Sequence, residues 1–146
     1  MKAIRHTGIV VKDLKKMMHF YRDLLGSKVI EKKDESSRYV DTILMLKKVK
    51  VTTVKMAADD GSLIELLYFH SHPRAISFDR KLCDTGISHI AFTAADVEKE
   101  YRKLRKNGIQ FNSVPQISPD RYAKVVFFRD PEGNFIELVE VLKKNG

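Results

Sequence analysis

One phrase occurs twice in this chain, and a chain that carries it twice is constrained to fold as two similar halves. Asp59-Asp60-Gly61-Ser62-Leu63-Ile64-Glu65-Leu66-Leu67 and Asp130-Pro131-Glu132-Gly133-Asn134-Phe135-Ile136-Glu137-Leu138-Val139 share one order: acidic turn, glycine, a polar residue, an apolar residue, then Ile-Glu-Leu. Asp-Pro and Gly-Asn are turn chemistry, and the alternating segment behind them reads as a strand. Period-two geometry puts Phe135, Glu137, Val139 and Val141 on one face, and Leu63, Glu65, Leu67 and Phe69 on one face of the earlier copy. A carboxylate in an apolar row is costly unless it is paired, hydrogen-bonded or metal-bound, or unless the strand is an edge and the Glu points to solvent.

A second repeat lies upstream of each copy. Ile4-Arg5-His6-Thr7-Gly8-Ile9 and Ile87-Ser88-His89-Ile90-Ala91-Phe92 each lead to an acidic helix start, Asp13-Leu14 and Asp96-Val97. Each half therefore supplies one His near its start and one Glu on a strand near its end. Taken in order, Ala3–Val11 reads as a strand. Asp13 caps a helix whose stripe is Leu14, Met17, Met18, Tyr21, Leu24 and Leu25, ended by Gly26. Strands follow at Lys28–Lys33, Tyr39–Leu46, Val49–Ala57 and Ser62–Phe69. His70–Asp84 reads as a linker, with His70 and His72 as loop histidines and His19 as a solvated one. The second half restarts with a strand at Gly86–Thr93 and a helix capped by Asp96, striped by Val97, Tyr101 and Leu104 and closed by Asn107-Gly108. A strand at Ile109–Asn112, a loop through Asp120 and a hairpin of Tyr122–Arg129 with Asn134–Val141 complete it, before a loose tail at Lys143–Gly146.

At 146 residues the chain suits one domain or two small modules. Its 27 Lys and Arg against 19 Asp and Glu leave a net charge of +8, which favours anionic partners or simply solubility. The densest basic run outside the helices, Lys47, Lys48 and Lys50, has no interleaved stacking aromatics, so nucleic acid is not an expected partner. The single cysteine, Cys83, excludes an intramolecular disulfide. No apolar run approaches a membrane span and no signal-peptide core opens the chain, so a cytoplasmic protein is expected. Phosphate loops, a nucleophile elbow and paired Cys-x-x-Cys knuckles are absent from the sequence.

His6-Thr7-Gly8-Ile9-Val10-Val11-Lys12-Asp13-Leu14, Gly86-Ile87-Ser88-His89-Ile90-Ala91-Phe92 and Phe128-Arg129-Asp130-Pro131-Glu132-Gly133-Asn134-Phe135-Ile136-Glu137-Leu138 together resemble the vicinal-oxygen-chelate superfamily. That superfamily includes glyoxalase I, methylmalonyl-CoA epimerase, extradiol dioxygenases and fosfomycin-resistance enzymes. The resemblance implies an α+β fold of two tandem βαβββ modules whose mixed sheet forms a U-shaped cup, with helices on the outer face. It would be a single domain over residues 1–146, with module 1 at about 1–70, a linker at about 71–85 and module 2 at about 86–142. It also implies one divalent ion held by His6, Glu65, His89 and Glu137, with Gly8 and Ala91 keeping the floor open.

Two imidazoles and two carboxylates suit nickel, cobalt, zinc, manganese or iron(II) with open positions. Such a site polarises a carbonyl while a carboxylate, Glu137 or Glu65, takes the neighbouring proton. Dioxygenases and fosfomycin-resistance enzymes resemble a three-ligand plan, so the fourth ligand, Glu65, turns the expectation towards a lyase or isomerase of the glyoxalase I type. A methylmalonyl-CoA epimerase-like racemase and a metal-free drug-binding protein are the alternatives. The expected partners are a small, anionic substrate and a second copy of the chain in a homodimer.

Overall fold

The computed structural model describes residues 2–74 and 79–142, so the tail Lys143–Gly146 and the centre of the expected linker lie outside the described residues. The chain divides into two compact units, Met1–Ile76 and Ser77–Gly146. The first contains β1 (Thr7–Val10), α1 (Leu14–Met18), a π-helical continuation over His19–Leu24, β2 (Lys28–Glu35), α2 (Arg38–Leu44), β3 (Val51–Ala57) and β4 (Leu63–Phe69). Its sheet runs β1-β4-β3-β2, with β1 parallel to β4 and the other pairs antiparallel. The second contains β5 (His89–Thr93), α3 (Val97–Lys106), β6 (Gln116–Ile117), β7 (Ala123–Arg129) and β8 (Phe135–Val141). Its sheet runs β5-β8-β7-β6 with the same parallel first-to-last pairing. Each unit is thus a βαβββ module, and the α+β class expected from the sequence holds.

Local signals account for most of these elements. Asp13 and Asp96 sit at the two expected N-caps and accept from Lys16 N at 3.0 Å and Lys99 N at 2.9 Å. On β4 the core row is Ile64 and Leu66, and on β8 it is Ile136 and Leu138, all buried, which leaves Glu65 and Glu137 on the opposite rows. Gly8 lies beside Glu65 and Ala91 beside Glu137 in the parallel registers, so the two modules repeat residue by residue.

Four expectations are corrected. Strand β1 begins at Thr7, and β5 at His89, so the segments upstream of the histidines are not sheet. Near Ile109–Asn112 only Phe111 bridges, to Phe128, and the short β6 occupies what reads as loop. In the first helix the buried residues are Met17, Phe20 and Tyr21. Leu25 N bonds back to Phe20 O at 3.0 Å, and this wider turn brings Phe20 into the buried stripe beside Tyr21.

The largest correction is Tyr39–Leu46, which is helix α2 and not a strand. Ser37 caps it by accepting from Val40 N at 3.3 Å. Asp41 accepts from Lys48 N and Val49 N, each at 2.8 Å, and so folds the following loop back onto the helix. These bonds hold the Asp41 carboxyl below its usual range, that from Val49 most strongly. Val40 packs with Val49 and Val51 against Leu67 and Phe69, so α2 lies on the face of β4 that carries Glu65.

Met45 ends this helix at φ 52, a left-handed conformation that disfavours a side chain, and it is 92 % exposed. Met45→Gly is therefore expected to raise stability by about 0.5–1 kcal/mol, read as a higher urea midpoint. A strand at this position would be weakened by the same change. No helix among the described residues is long and apolar enough to cross a membrane.

Candidate metal centre

The four predicted residues come together as two pairs, one within each unit. His6 stands one residue before β1, and its Nε2 lies 3.2 Å from Glu65 Oε2. His89 opens β5, and its Nε2 lies 3.1 Å from Glu137 Oε2. The side chains of Glu65 and Glu137 are only 13 % and 18 % exposed, while both histidines keep a third of their surface open. Parallel pairing of the first and last strands of each module creates this geometry, because it sets the residue two beyond each His directly beside the Glu. Gly8 is packed as well as small: a methyl added there meets Leu67 Cδ1 at 3.4 Å.

The donor chemistry fits a divalent ion. Metal–nitrogen and metal–oxygen bonds of about 2.0–2.2 Å place adjacent donors of an octahedron about 3 Å apart, which is the spacing of each pair. Among the described residues no three or more His, Cys, Asp or Glu side chains form a group spaced to hold one ion.

The pairs differ in what flanks them. Lys55 is opposite Glu65 in the β3–β4 register, and its Nζ is 3.8 Å from Glu65 Oε1 and 2.8 Å from Glu31 Oε2. Lys33 closes the row at 2.7 Å from Glu31 Oε1. Hydrogen bonds from Lys33 and then Lys55 pull the Glu31 carboxyl down to about 2, and the bond to Glu31 raises Lys55. Glu65 therefore belongs to a string of alternating charges across the sheet. In the second unit the residue opposite Glu137 is Phe127, whose ring meets the His89 ring edge-on at 5.1 Å. Lys55, Glu31 and Phe127 were not singled out by sequence reasoning. The signal was an inward-facing lysine in the β3 alternation, legible only once the β3–β4 register is known.

The remaining histidines do not join these pairs. His70 Nε2 lies 2.7 Å from Thr52 Oγ1, which donates in turn to Asp34 Oδ1 at 2.5 Å; the Tyr68 ring packs edge-on against His70. His19 pairs with Asp23 at 2.8 Å on an exposed helix face.

The chain is 30 % identical to the uncharacterized protein YurT of Bacillus subtilis (strain 168), over 92 % of this chain and 95 % of that protein. It is 26 % identical to a lactoylglutathione lyase of Pseudomonas putida, over 94 % and 84 % of the two chains. A glyoxalase family protein from Bacillus cereus superposes with a TM-score of 0.89 at 21 % identity, covering 98 % of this chain and 96 % of that one. The sequence model of one family spans residues 3–138, both His–Glu pairs included, and the chain belongs to that family, the Glyoxalase/Bleomycin resistance protein/Dioxygenase superfamily.

Proposed function

We propose that this chain is a metal-dependent lyase or isomerase of the glyoxalase I type. His6, Glu65, His89 and Glu137 would hold one divalent ion, nickel, cobalt, zinc, manganese or iron(II), with the two pairs contributed by one chain or across a homodimer. The observation that carries this reading is the matched spacing of the two pairs, 3.2 and 3.1 Å between imidazole Nε2 and carboxylate oxygen. When bound, the ion supplies Lewis-acid polarisation of neighbouring substrate oxygens.

The protein's own part is proton transfer. Glu137 Oε takes the proton from the carbon next to a carbonyl and returns it to the adjacent carbon, so that atoms and charge balance without oxygen or a redox cofactor. Glu65 is the poorer candidate for this role because its Oε1 already faces Lys55 Nζ at 3.8 Å. Glu137 faces Phe127 across the register, in the place that Lys55 takes beside Glu65. The similarity to a protein named lactoylglutathione lyase supports a small thiol-derived substrate, and the net charge of +8 supports an anionic one.

Proton NMR in heavy water tests the proposal. The hemithioacetal of a 2-oxoaldehyde is expected to exchange or rearrange at the carbon next to its carbonyl, and treatment with a chelator is expected to abolish this until a divalent ion is restored. Exchange of a 2-methyl acyl-CoA alone would move the assignment to an epimerase-like racemase. Undiminished activity after complete metal removal would sink the metal reading.

A further inference from the structure

Lys55 is the one cation in the row of residues that crosses the first sheet at Glu65. In register that row runs Gly8, Glu65, Lys55 and Glu31. The Lys55 side chain therefore stands on the face of Glu65, where it keeps 28 % of its surface open. Val51, Thr53 and Ala57, the other β3 residues of that face, carry no charge. The ammonium is fixed by Glu31 Oε2 at 2.8 Å, and Lys33 holds the other oxygen of Glu31 at 2.7 Å. Glu65 Oε1, at 3.8 Å, lies beyond hydrogen-bond reach. An ammonium has three hydrogens, and among the described residues Glu31 is the acceptor of one, so Lys55 has donors left for a ligand.

We propose that Lys55 is a specificity-determining residue: held in place by Glu31, it binds a carboxylate that the substrate carries in addition to the oxygens taken by the ion. The charges around it favour an anion. Arg5, immediately before His6, is exposed and close enough for its charge to oppose that of Lys55. Once Glu65 is engaged by an ion, Arg5, Lys33 and Lys55 face the single remaining carboxylate of Glu31, and this excess of positive charge attracts an anionic group. A carboxylate bound there accepts a charge-assisted hydrogen bond from a partly buried ammonium, the stronger kind of hydrogen bond. The second unit has no equivalent. Its residues matching Arg5 and Lys55 are Ser88 and Phe127, neither of them charged, so this role belongs to the first pair alone.

The part of this inference that concerns the substrate rests on the function proposed above, whereas the anion site does not. Two measurements separate them. In metal-free protein the charge of Glu65 repels anions, so the first probe is succinate added to the Glu65→Gln variant and followed by NMR. Binding is expected, with the largest shifts at Lys55. Glu65→Gln with Lys55→Met should bind succinate about 10-fold more weakly, the loss of one charge-assisted hydrogen bond, and Lys55→Arg in the same background should restore it. A purely structural Lys55, serving only to neutralise Glu31 and Glu65, would bind no succinate; that result, or equal affinity without Lys55, overturns the proposal. The second measurement uses the metal-loaded enzyme and two hemithioacetals of one 2-oxoaldehyde, formed with 3-mercaptopropionate or with 2-mercaptoethanol, which lacks the carboxylate. Lys55→Met should raise KM about 10-fold more for the first than for the second. An equal rise for both overturns the role in specificity. Succinate bound through Lys55 by a protein that turns over neither adduct supports the anion site and removes the glyoxalase-type reading instead. If Lys55→Met fails to fold, the shift of the Lys55 side-chain carbons on adding succinate to Glu65→Gln decides the matter.

Discussion

Glu137→Gln is expected to lower turnover by at least about 10²-fold, the lower end of what a positioned general base contributes, while Glu65→Gln loses less. Glutamine keeps the size and one oxygen donor of either residue, so both variants retain a ligand atom; what each loses is charge and basicity. At position 65 the loss leaves Lys55 with its stronger partner Glu31, 2.8 Å away. At position 137 no lysine takes part in the pair, and the group removed is the proposed proton acceptor. Metal content must be measured in both proteins, because a difference in occupancy alone would mimic the result. The assignment of roles reverses if the Glu65 variant is the inactive one at equal occupancy.

Asp130→Ala is expected to lower stability by about 3 kcal/mol. Asp130 is 4 % exposed and organises the tight turn before β8. Its Oδ1 accepts from Glu132 N at 2.9 Å and Asn134 N at 3.0 Å, and its Oδ2 accepts from the Asn134 side-chain amide at 2.8 Å. Alanine leaves those donors without this partner in a half-buried turn. Asp130→Asn keeps one acceptor oxygen and should cost about half as much. The counterpart Asp60 makes a similar pair of bonds to Ser62, but in an exposed turn where water replaces them, so Asp60→Ala is expected to do less. Urea unfolding of the three variants checks the order, and an Asp130→Ala midpoint equal to wild type would show that the turn is not held in this way.

What was legible in the sequence is what depends on neighbours in the chain. The Asp13 and Asp96 caps, the two acidic-Gly turns and the alternation through Glu65 and Glu137 are short-range patterns, and the structure places each of them as read. The repeat added one long-range inference, a His and a Glu in each half, and the parallel first-to-last pairing supplies the physical reason they meet. Tyr39–Leu46 misled because Tyr, Val, Thr and Ile are strand-prone residues. Its helix is decided by contacts that propensity does not contain: Val40 against Val49 and Val51, and the reach of Asp41 to Lys48 and Val49. Phe20 was missed because its place in the core follows from a π turn, which changes the helical period locally. Lys55 and Phe127 acquire meaning only from strand register, as does the difference they make between two carboxylates that look equivalent on paper.

Helix α2 sits in the connection between β2 and β3, two antiparallel neighbours, and the matching connection in the second unit, from β6 to β7, is a short turn. The first connection is roughly three times the length of the second, and tripling a loop costs only about 1 kcal/mol of closure entropy. Both ends of such a connection are already fixed by strand pairing, so added chain changes neither the register of the sheet nor the placing of Glu65 on β4. A duplicated module built this way separates what must be kept from what is free to vary. The His stands at the entry of the first strand and the Glu on the last, while the segment between the middle strands lengthens, folds and changes composition independently in each copy.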